Sequence, residues 1–156
     1  MKDHFERMVR AMAWADGRVI AALADCPAAQ AEAIPLLSHL LAAEHVWLAR
    51  LERRLPLYAV WPTLTLAECE ALAAENAAGY GAFLELQSDA KLSEIVEYTN
   101  STGQTFATVA IDILTQVIIH GAYHRGQIAK ALGRAGTPAI NTDYITYVRS
   151  LADESA

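Results

Sequence analysis

The chain has 156 residues, 54% of them apolar, and a formal net charge of −6. This length favours one domain that spans residues 1–156. The acidic balance argues against nucleic acid as a partner, because binding phosphates requires a stripe of basic side chains. Arg50, Arg53 and Arg54 form a short basic cluster, which we interpret as a solvated helix face.

The cysteine content and the N-terminus indicate where the protein resides. Cys26 and Cys69 lie far apart and form no CxxC pair, so we expect free thiols in a reducing compartment. The N-terminus lacks a signal-peptide pattern, and we therefore expect a cytoplasmic protein. No apolar run is long enough to span a bilayer, so we expect no membrane partner.

The first half of the chain is predicted to be helical, because alanine is abundant and apolar residues recur at helical spacing. The first helix covers about residues 2–24 and ends before Pro27, since proline cannot continue the hydrogen-bond ladder. The second helix begins near Pro35, a residue suited to a first turn, and runs to about Leu55.

The second half adds further helices and a short hairpin. Thr65 and Glu68 form a capping box, in which each side chain bonds to the other residue's free backbone N–H. In order, the predicted elements are a third helix from Thr65 to about Leu86, a hairpin of 95–99 and 105–108, a fourth helix over 109–134 and a last short helix over 142–151. The sequence thus predicts an all-α four-helix bundle with an additional short C-terminal helix and a small hairpin before the fourth helix.

Two of the five histidines stand out by their position on the fourth helix. His120 and His124 are four residues apart and share one helical face with Ile113, Val117 and Ile128. The spacing of this seam calls for apolar side chains, and burying an imidazole is unfavourable unless its nitrogens find partners. A bound metal supplies such a partner. Two hydrogen-bonded structural histidines are the alternative, and the pattern alone does not decide between them.

The pair does not form a metalloprotease motif. That motif, HExxH, has a glutamate directly after the first histidine as the general base. Here the position is Gly121, so a base would have to come from elsewhere in the chain.

A third ligand is expected from another helix, and we choose His39 on the second helix. His39 shares a helical face with Leu36 and Val46. His45 is turned away from this face, and His4 lies near the chain start, so we expect both at the surface. The predicted metal ligands are therefore His39, His120 and His124.

The segments around these residues resemble the DinB-like (damage-inducible, YfiT-related) metal-binding four-helix bundles. The carrying segments are His39–Leu51 and His120–Ile128, and the second contains the more specific pattern HxxxHRGQ. Two weaker matches are Met12–Asp16 and Gly136–Pro138 followed by Asp143–Ile145. The resemblance follows the same order along nearly the whole chain. The chain departs from the family pattern at Asp16, where asparagine is frequent.

The resemblance implies three histidines around one divalent transition metal, with nickel or zinc as the usual ion. It also implies a homodimer, and large aromatics such as Trp47, Tyr58 and Trp61 would suit either an interface or a cap on the bundle's own core. Some related proteins are thiol S-transferases and others are thiol-dependent isomerases. The partner expected here is accordingly a small-molecule substrate, such as a low-molecular-weight thiol.

Three functions stay open on the sequence. Three protein ligands leave an open coordination position, which favours a metal-dependent enzyme, either a thiol S-transferase or a hydrolase. A non-catalytic metal-binding module would bind the ion without turnover, and a plain helical interaction protein would bind none. The catalytic residues are unknown. The candidates to position a substrate are Tyr98, Asp112, Tyr123 and Asp143.

Overall fold

The computed structural model describes residues 1–153. Its elements, in chain order, are α1 (Lys2–Ala24), α2 (Pro27–Leu51), α3 (Leu66–Glu85), α4 (Asp89–Leu92), β1 (Ile95–Thr99), β2 (Thr105–Val109), α5 (Ala110–Arg134) and α6 (Tyr144–Asp153). The two strands pair antiparallel, with Ile95 opposite Val109. The predicted all-α architecture with a small hairpin before the last long helix is confirmed.

The four long helices pack in a bundle in which each has two main neighbours. α1 and α2 both pack against α3 and against α5, and α6 packs on α1. Within residues 1–153, no helix is long and apolar enough to cross a membrane. Because α2 and α5 are neighbours, the histidines predicted on these two helices can meet.

The interior of the bundle consists of two apolar clusters. One is built around Leu23, Leu37, Leu41, Leu72 and Ile128, and the other around Met12, Leu48, Tyr80, Leu84 and Val117. One buried polar side chain from each long helix joins a network of hydrogen bonds and ion pairs that lies between the two clusters in sequence: Asp16 on α1, Glu44 on α2, Asn76 on α3 and Arg125 on α5. We call these four residues the polar layer.

The prediction for the second helix was wrong at both ends. α2 begins at Pro27, and Pro35 lies inside it. Pro27 already occupies the first turn, and burial of Ala29 and Ala33 in the core outweighs the backbone hydrogen bond that Pro35 cannot donate. At the other end the helix stops at Leu51, because Arg53 takes a left-handed conformation with φ of 55°.

The other predicted elements agree closely with the structure. The capping box of Thr65 and Glu68 is present, with the Thr65 hydroxyl accepting from Glu68 N–H and the Glu68 carboxylate accepting from Thr65 N–H. The one-turn helix α4 was not predicted, since a single turn carries no periodic pattern. Ser88 caps it by accepting from the backbone N–H of Lys91.

Candidate metal centre

The structure brings the three predicted histidines together between α2 and α5. The ring centroid of His124 lies 4.4 Å from that of His120 and 4.7 Å from that of His39. One nitrogen from each ring can be chosen so that all three lie within 4.8 Å of one another. His39 and His124 are buried and His120 is half-buried, so the group is largely removed from water.

Hydrogen bonds determine which nitrogen of each buried ring is free. His39 Nδ1 donates to the carbonyl oxygen of Val60 at 2.8 Å, and His124 Nδ1 donates to Gln127 Oε1 at 2.9 Å. Each of these acceptors requires the proton on Nδ1, which leaves Nε2 with its lone pair. Both rings therefore have one nitrogen bonded to the protein and the other free to bind a metal, as metal-ligating histidines do.

The spacing of the nitrogens of His120 and His124 fits a shared metal ion. His124 Nε2 lies 3.1 Å from His120 Nε2. Two nitrogens bound to one tetrahedral ion at about 2.0–2.1 Å are about 3.3 Å apart. A donor set of three histidines could hold a divalent metal ion.

His120 and His124 are neutral near physiological pH. Burial lowers the pKa of His120 to about 4, and the nearby His124 and His39 add to the effect. Burial likewise lowers the pKa of His124, against a smaller opposing effect of its hydrogen bond to Gln127. A neutral imidazole has a free lone pair, so protons do not compete strongly for these ligand positions.

The segment between α2 and α3 covers His39. The Trp61 ring stacks on the His39 ring with centroids 3.6 Å apart and planes 11° from parallel, while 63% of Trp61 stays exposed. Together with the Val60 carbonyl, Trp61 holds the imidazole in place. Sequence reasoning did not assign these two residues to the site. The sequence feature that could have drawn attention to Val60 and Trp61 is the pair of prolines, Pro56 and Pro62, that borders this aromatic-rich loop.

The expectation that His45 lies at the surface was wrong, whereas His4 is exposed as expected. His45 is 5% exposed, its Nε2 accepts from the backbone N–H of Leu57 at 3.2 Å, and Tyr58 packs edge-on against its ring. His45 points away from the other histidines, as predicted from its position on the helix, and is not in their group. It anchors the loop that covers His39.

Of the four residues proposed to position a substrate, only Tyr123 touches the histidine group. Its ring packs edge-on against His124 with centroids 5.1 Å apart. Tyr98 lies on β1 and lines a cavity beside the loop after α2. Asp112 is exposed in the first turn of α5, and Asp143 is exposed just before α6.

The polar layer lies directly beside the histidines, because Arg125 follows His124. Arg125 Nη1 donates to Asp16 Oδ1 at 2.8 Å and lies 4.0 Å from Glu44 Oε1. Asn76 Nδ2 donates to Glu44 Oε2 at 3.3 Å. Burial raises the pKa of Asp16, and burial together with the Asp16 charge raises the pKa of Glu44 well above its usual value.

Gly121 has a structural role that explains why no glutamate follows His120. A Cβ atom at this position would lie 2.8 Å from Arg125 Nη1. The guanidinium therefore packs over Gly121, and a side chain here would displace it from Asp16. Asp16 faces Arg125 in the core, and this ion pair explains the aspartate at position 16 without a contact to substrate.

The fold and the site define a class of protein: a helical bundle in which two neighbouring helices carry a three-histidine group able to hold a metal ion. The model of the DinB family matches residues 1–154, and the chain belongs to that family.

A curated relative supports the same assignment. Protein DinB of Bacillus subtilis (strain 168) is 33% identical over 73 residues, a stretch that covers 47% of this chain and 42% of the relative. No solved structure matches the chain.

Proposed function

We propose that His39, His120 and His124 bind one divalent transition metal, nickel or zinc, and that the protein uses it to transfer a small thiol to an electrophilic carbon. The observation that carries this proposal is the convergence of three imidazoles, two of which have Nδ1 bonded to the protein and Nε2 left free. Three protein ligands are typical of catalytic rather than structural sites.

The donor set explains why a thiol is the proposed nucleophile. Neutral imidazoles leave the full charge of a divalent ion in place, and such an ion lowers the pKa of a thiol near it. In the transfer, the thiol sulfur forms a bond to carbon, the leaving group departs with the electron pair, and the thiol proton passes to solvent. The residues of the chain hold the three nitrogens in position and exclude water from His39.

The thiol is expected to come from solution rather than from the protein. Cys26 and Cys69 are both buried. Burial raises the pKa of the Cys69 thiol, so little thiolate is present at neutral pH. Neither cysteine is in the histidine group.

We expect the metal-loaded protein to accelerate conjugation of a small thiol to an electrophile, and the metal-free protein to match the uncatalysed rate. The protein would be purified without a polyhistidine tag, and its metal content measured before the assay. Rates would be compared over a range of thiol concentrations for holo protein, apo protein and His124→Ala.

Equal rates for all three samples with several thiols and electrophiles would refute the transferase proposal. Metal-dependent hydrolysis of an ester or amide would instead identify a hydrolase. Stoichiometric metal with no turnover would identify a non-catalytic metal-binding module.

We further propose that the protein is a homodimer that associates through the outer face of α5. On this face Ile119 and Tyr123, one helical turn apart, are 62% and 64% exposed. Paired large apolar side chains at the surface are typical of interfaces. Sedimentation at micromolar concentration should give a dimer mass for the wild type and a monomer mass for Ile119→Lys. A monomeric wild type would contradict the proposal.

A further inference from the structure

A large cavity lies next to the histidine group but does not include it. Its volume is about 1170 Å³, and it opens between the loop that follows α2 and the strand β1. Val60 and Trp61 belong to its wall, and the same two residues hold His39 through a hydrogen bond and a ring stack. The cavity and the candidate metal centre therefore share one wall.

Three arginines line this cavity in a protein of net negative charge: Arg50, Arg53 and Arg54. Arg54 is paired with Glu52, and Glu97 is an acidic residue of the wall. Within the described part of the chain, neither Arg50 nor Arg53 forms an ion pair with a carboxylate. The lining thus has a small positive excess, which suits a carboxylate better than a polyphosphate.

Arg50 is not the solvated residue that the sequence suggested. It is half-buried, and its guanidinium lies 4.3 Å from the ring centroid of Trp47 and 4.6 Å from that of Tyr98. The rings hold the guanidinium in place at the cavity wall. A guanidinium fixed in this way is preorganised for a carboxylate, since little side-chain entropy is lost on binding.

Arg53 provides an independent indication, because its backbone conformation favours glycine. Its φ is 55°, its N–H bonds to the carbonyl of Arg50, and the N–H of Arg54 bonds to the carbonyl of Ala49. This is a Schellman helix end, whose left-handed position is usually glycine. An arginine there is strained, and such strain concentrates at functional sites.

We propose that the cavity binds the carboxylate end of an acidic small thiol. Arg50 and Arg53 donate to the carboxylate oxygens, and the rings of Tyr58, Trp61 and Tyr98 pack against the apolar part of the molecule. The inference names the substrate class for the activity proposed above and rests on that activity for the role of the thiol group. Carboxylate binding itself is separable from the metal and from turnover.

Isothermal titration calorimetry on the metal-loaded protein tests the proposal with two matched pairs of ligands. One pair is 3-mercaptopropionate and 3-mercaptopropan-1-ol, and the other is 3-phenylpropionate and 3-phenylpropan-1-ol, which contains no thiol. In each pair we expect the acid to bind at least about tenfold more tightly than the alcohol, the effect of a charge-assisted hydrogen bond at a partly exposed site.

Arg53→Gly is the decisive variant, because it removes the charge and relieves the backbone strain. We expect it to weaken binding of both acids about tenfold, to leave the alcohols and the metal content unchanged, and to raise the melting temperature by about 2 °C. Arg50→Gln should weaken acid binding similarly. Arg7→Gln, an exposed position on α1, changes the net charge equally and should leave binding unchanged.

The outcomes separate the two proposals. Equal affinity for acid and alcohol, no binding heat for any ligand, or wild-type acid binding in Arg53→Gly would overturn the carboxylate site. Equal weakening by Arg7→Gln would do the same, since it would indicate a general charge effect. Tight acid binding without conjugation would remove the transferase proposal alone, and conjugation at equal kcat/KM with acidic and neutral thiols would overturn the acidic thiol as the substrate class alone.

Discussion

Alanine in place of His124 should lower the affinity for zinc or nickel by more than about 100-fold, so that the purified variant contains almost no metal. The substitution removes one of three ligands, and the two remaining nitrogens on different helices form a poor site. His39→Ala and His120→Ala should have the same effect. The measurement is metal content by mass spectrometry after dialysis against a metal buffer, on untagged protein.

Gln127→Leu offers a graded version of this experiment. Gln127 is not one of the proposed ligands, but its Oε1 accepts a hydrogen bond from His124 Nδ1–H and so holds the ring with Nε2 facing His120. Losing such an orienting bond typically weakens a metal site about 10- to 100-fold. An affinity between those of wild type and His124→Ala is therefore expected. An unchanged affinity would show that the hydrogen bond does not orient the ligand.

His4→Ala and His45→Ala are the controls. His4 is exposed, and His45 is buried but bonds to Leu57 rather than joining the histidine group. Both variants should keep wild-type metal content, although His45→Ala should lose about 1 kcal/mol of stability with its hydrogen bond. Loss of metal from His45→Ala together with retention in His39→Ala would show that the wrong histidine of α2 was chosen.

The parts of the fold that depend on local patterns could be predicted from the sequence. The capping box at Thr65 and the seam through His120 and His124 involve residues a few positions apart. The first spacing indicates the start of a helix and the second indicates one face of a helix. The choice of His39 used the same helical periodicity. A position on the core-facing side of the second helix was sufficient to choose His39, because the core-facing sides of neighbouring helices in a bundle lie opposite each other.

The parts that depend on tertiary contacts could not be predicted in this way. Pro35 signals a helix start locally, but burial of Ala33 at 0% exposure holds the preceding turns in the helix. His45 looked exposed because nothing in its own helix buries it. The loop that returns over it, through Leu57 and Tyr58, has no periodic pattern.

The polar layer was also missed, and for an instructive reason. Asp16, Glu44 and Arg125 are charged, and charged side chains are rarely buried unless they are paired. Only the packing of three helices shows that one cation faces two carboxylates in the core. A charge at an otherwise apolar helical position was the available signal, as it was for His120 and His124.

Replacing Arg125 by methionine should lower the free energy of unfolding by about 3–5 kcal/mol at pH 8, because removing one partner leaves buried charge uncompensated. Asp16 and Glu44 are 2% exposed, and Arg125 is the cation that both face. Methionine keeps much of the volume, so the loss reports on charge rather than on a cavity. Urea denaturation monitored by circular dichroism gives the free energy.

The decrease in the free energy of unfolding caused by Arg125→Met should be smaller at pH 5 than at pH 8. Both carboxyls have a raised pKa in the folded protein, so folding favours their protonated forms. A carboxyl whose pKa is raised by folding does not lower the free energy of unfolding at a pH below its pKa in the unfolded chain. The free energy of unfolding falls as the pH rises from that value through the pKa in the folded protein. Without Arg125 both pKa values rise further, and the pH dependence above about pH 4.5 should steepen.

A charge-free background tests whether this explanation is correct. In Asp16→Asn/Glu44→Gln, the same Arg125→Met change should cost less than it does in the wild type, because no buried carboxylate remains to be neutralised. Arg10→Met, at an exposed position on α1, should change stability by less than about 0.5 kcal/mol. If Arg125→Met loses under about 1 kcal/mol at pH 8, or shows no dependence on pH, the layer does not act as an ion-pair network. The guanidinium would then serve only to fill the space above Gly121.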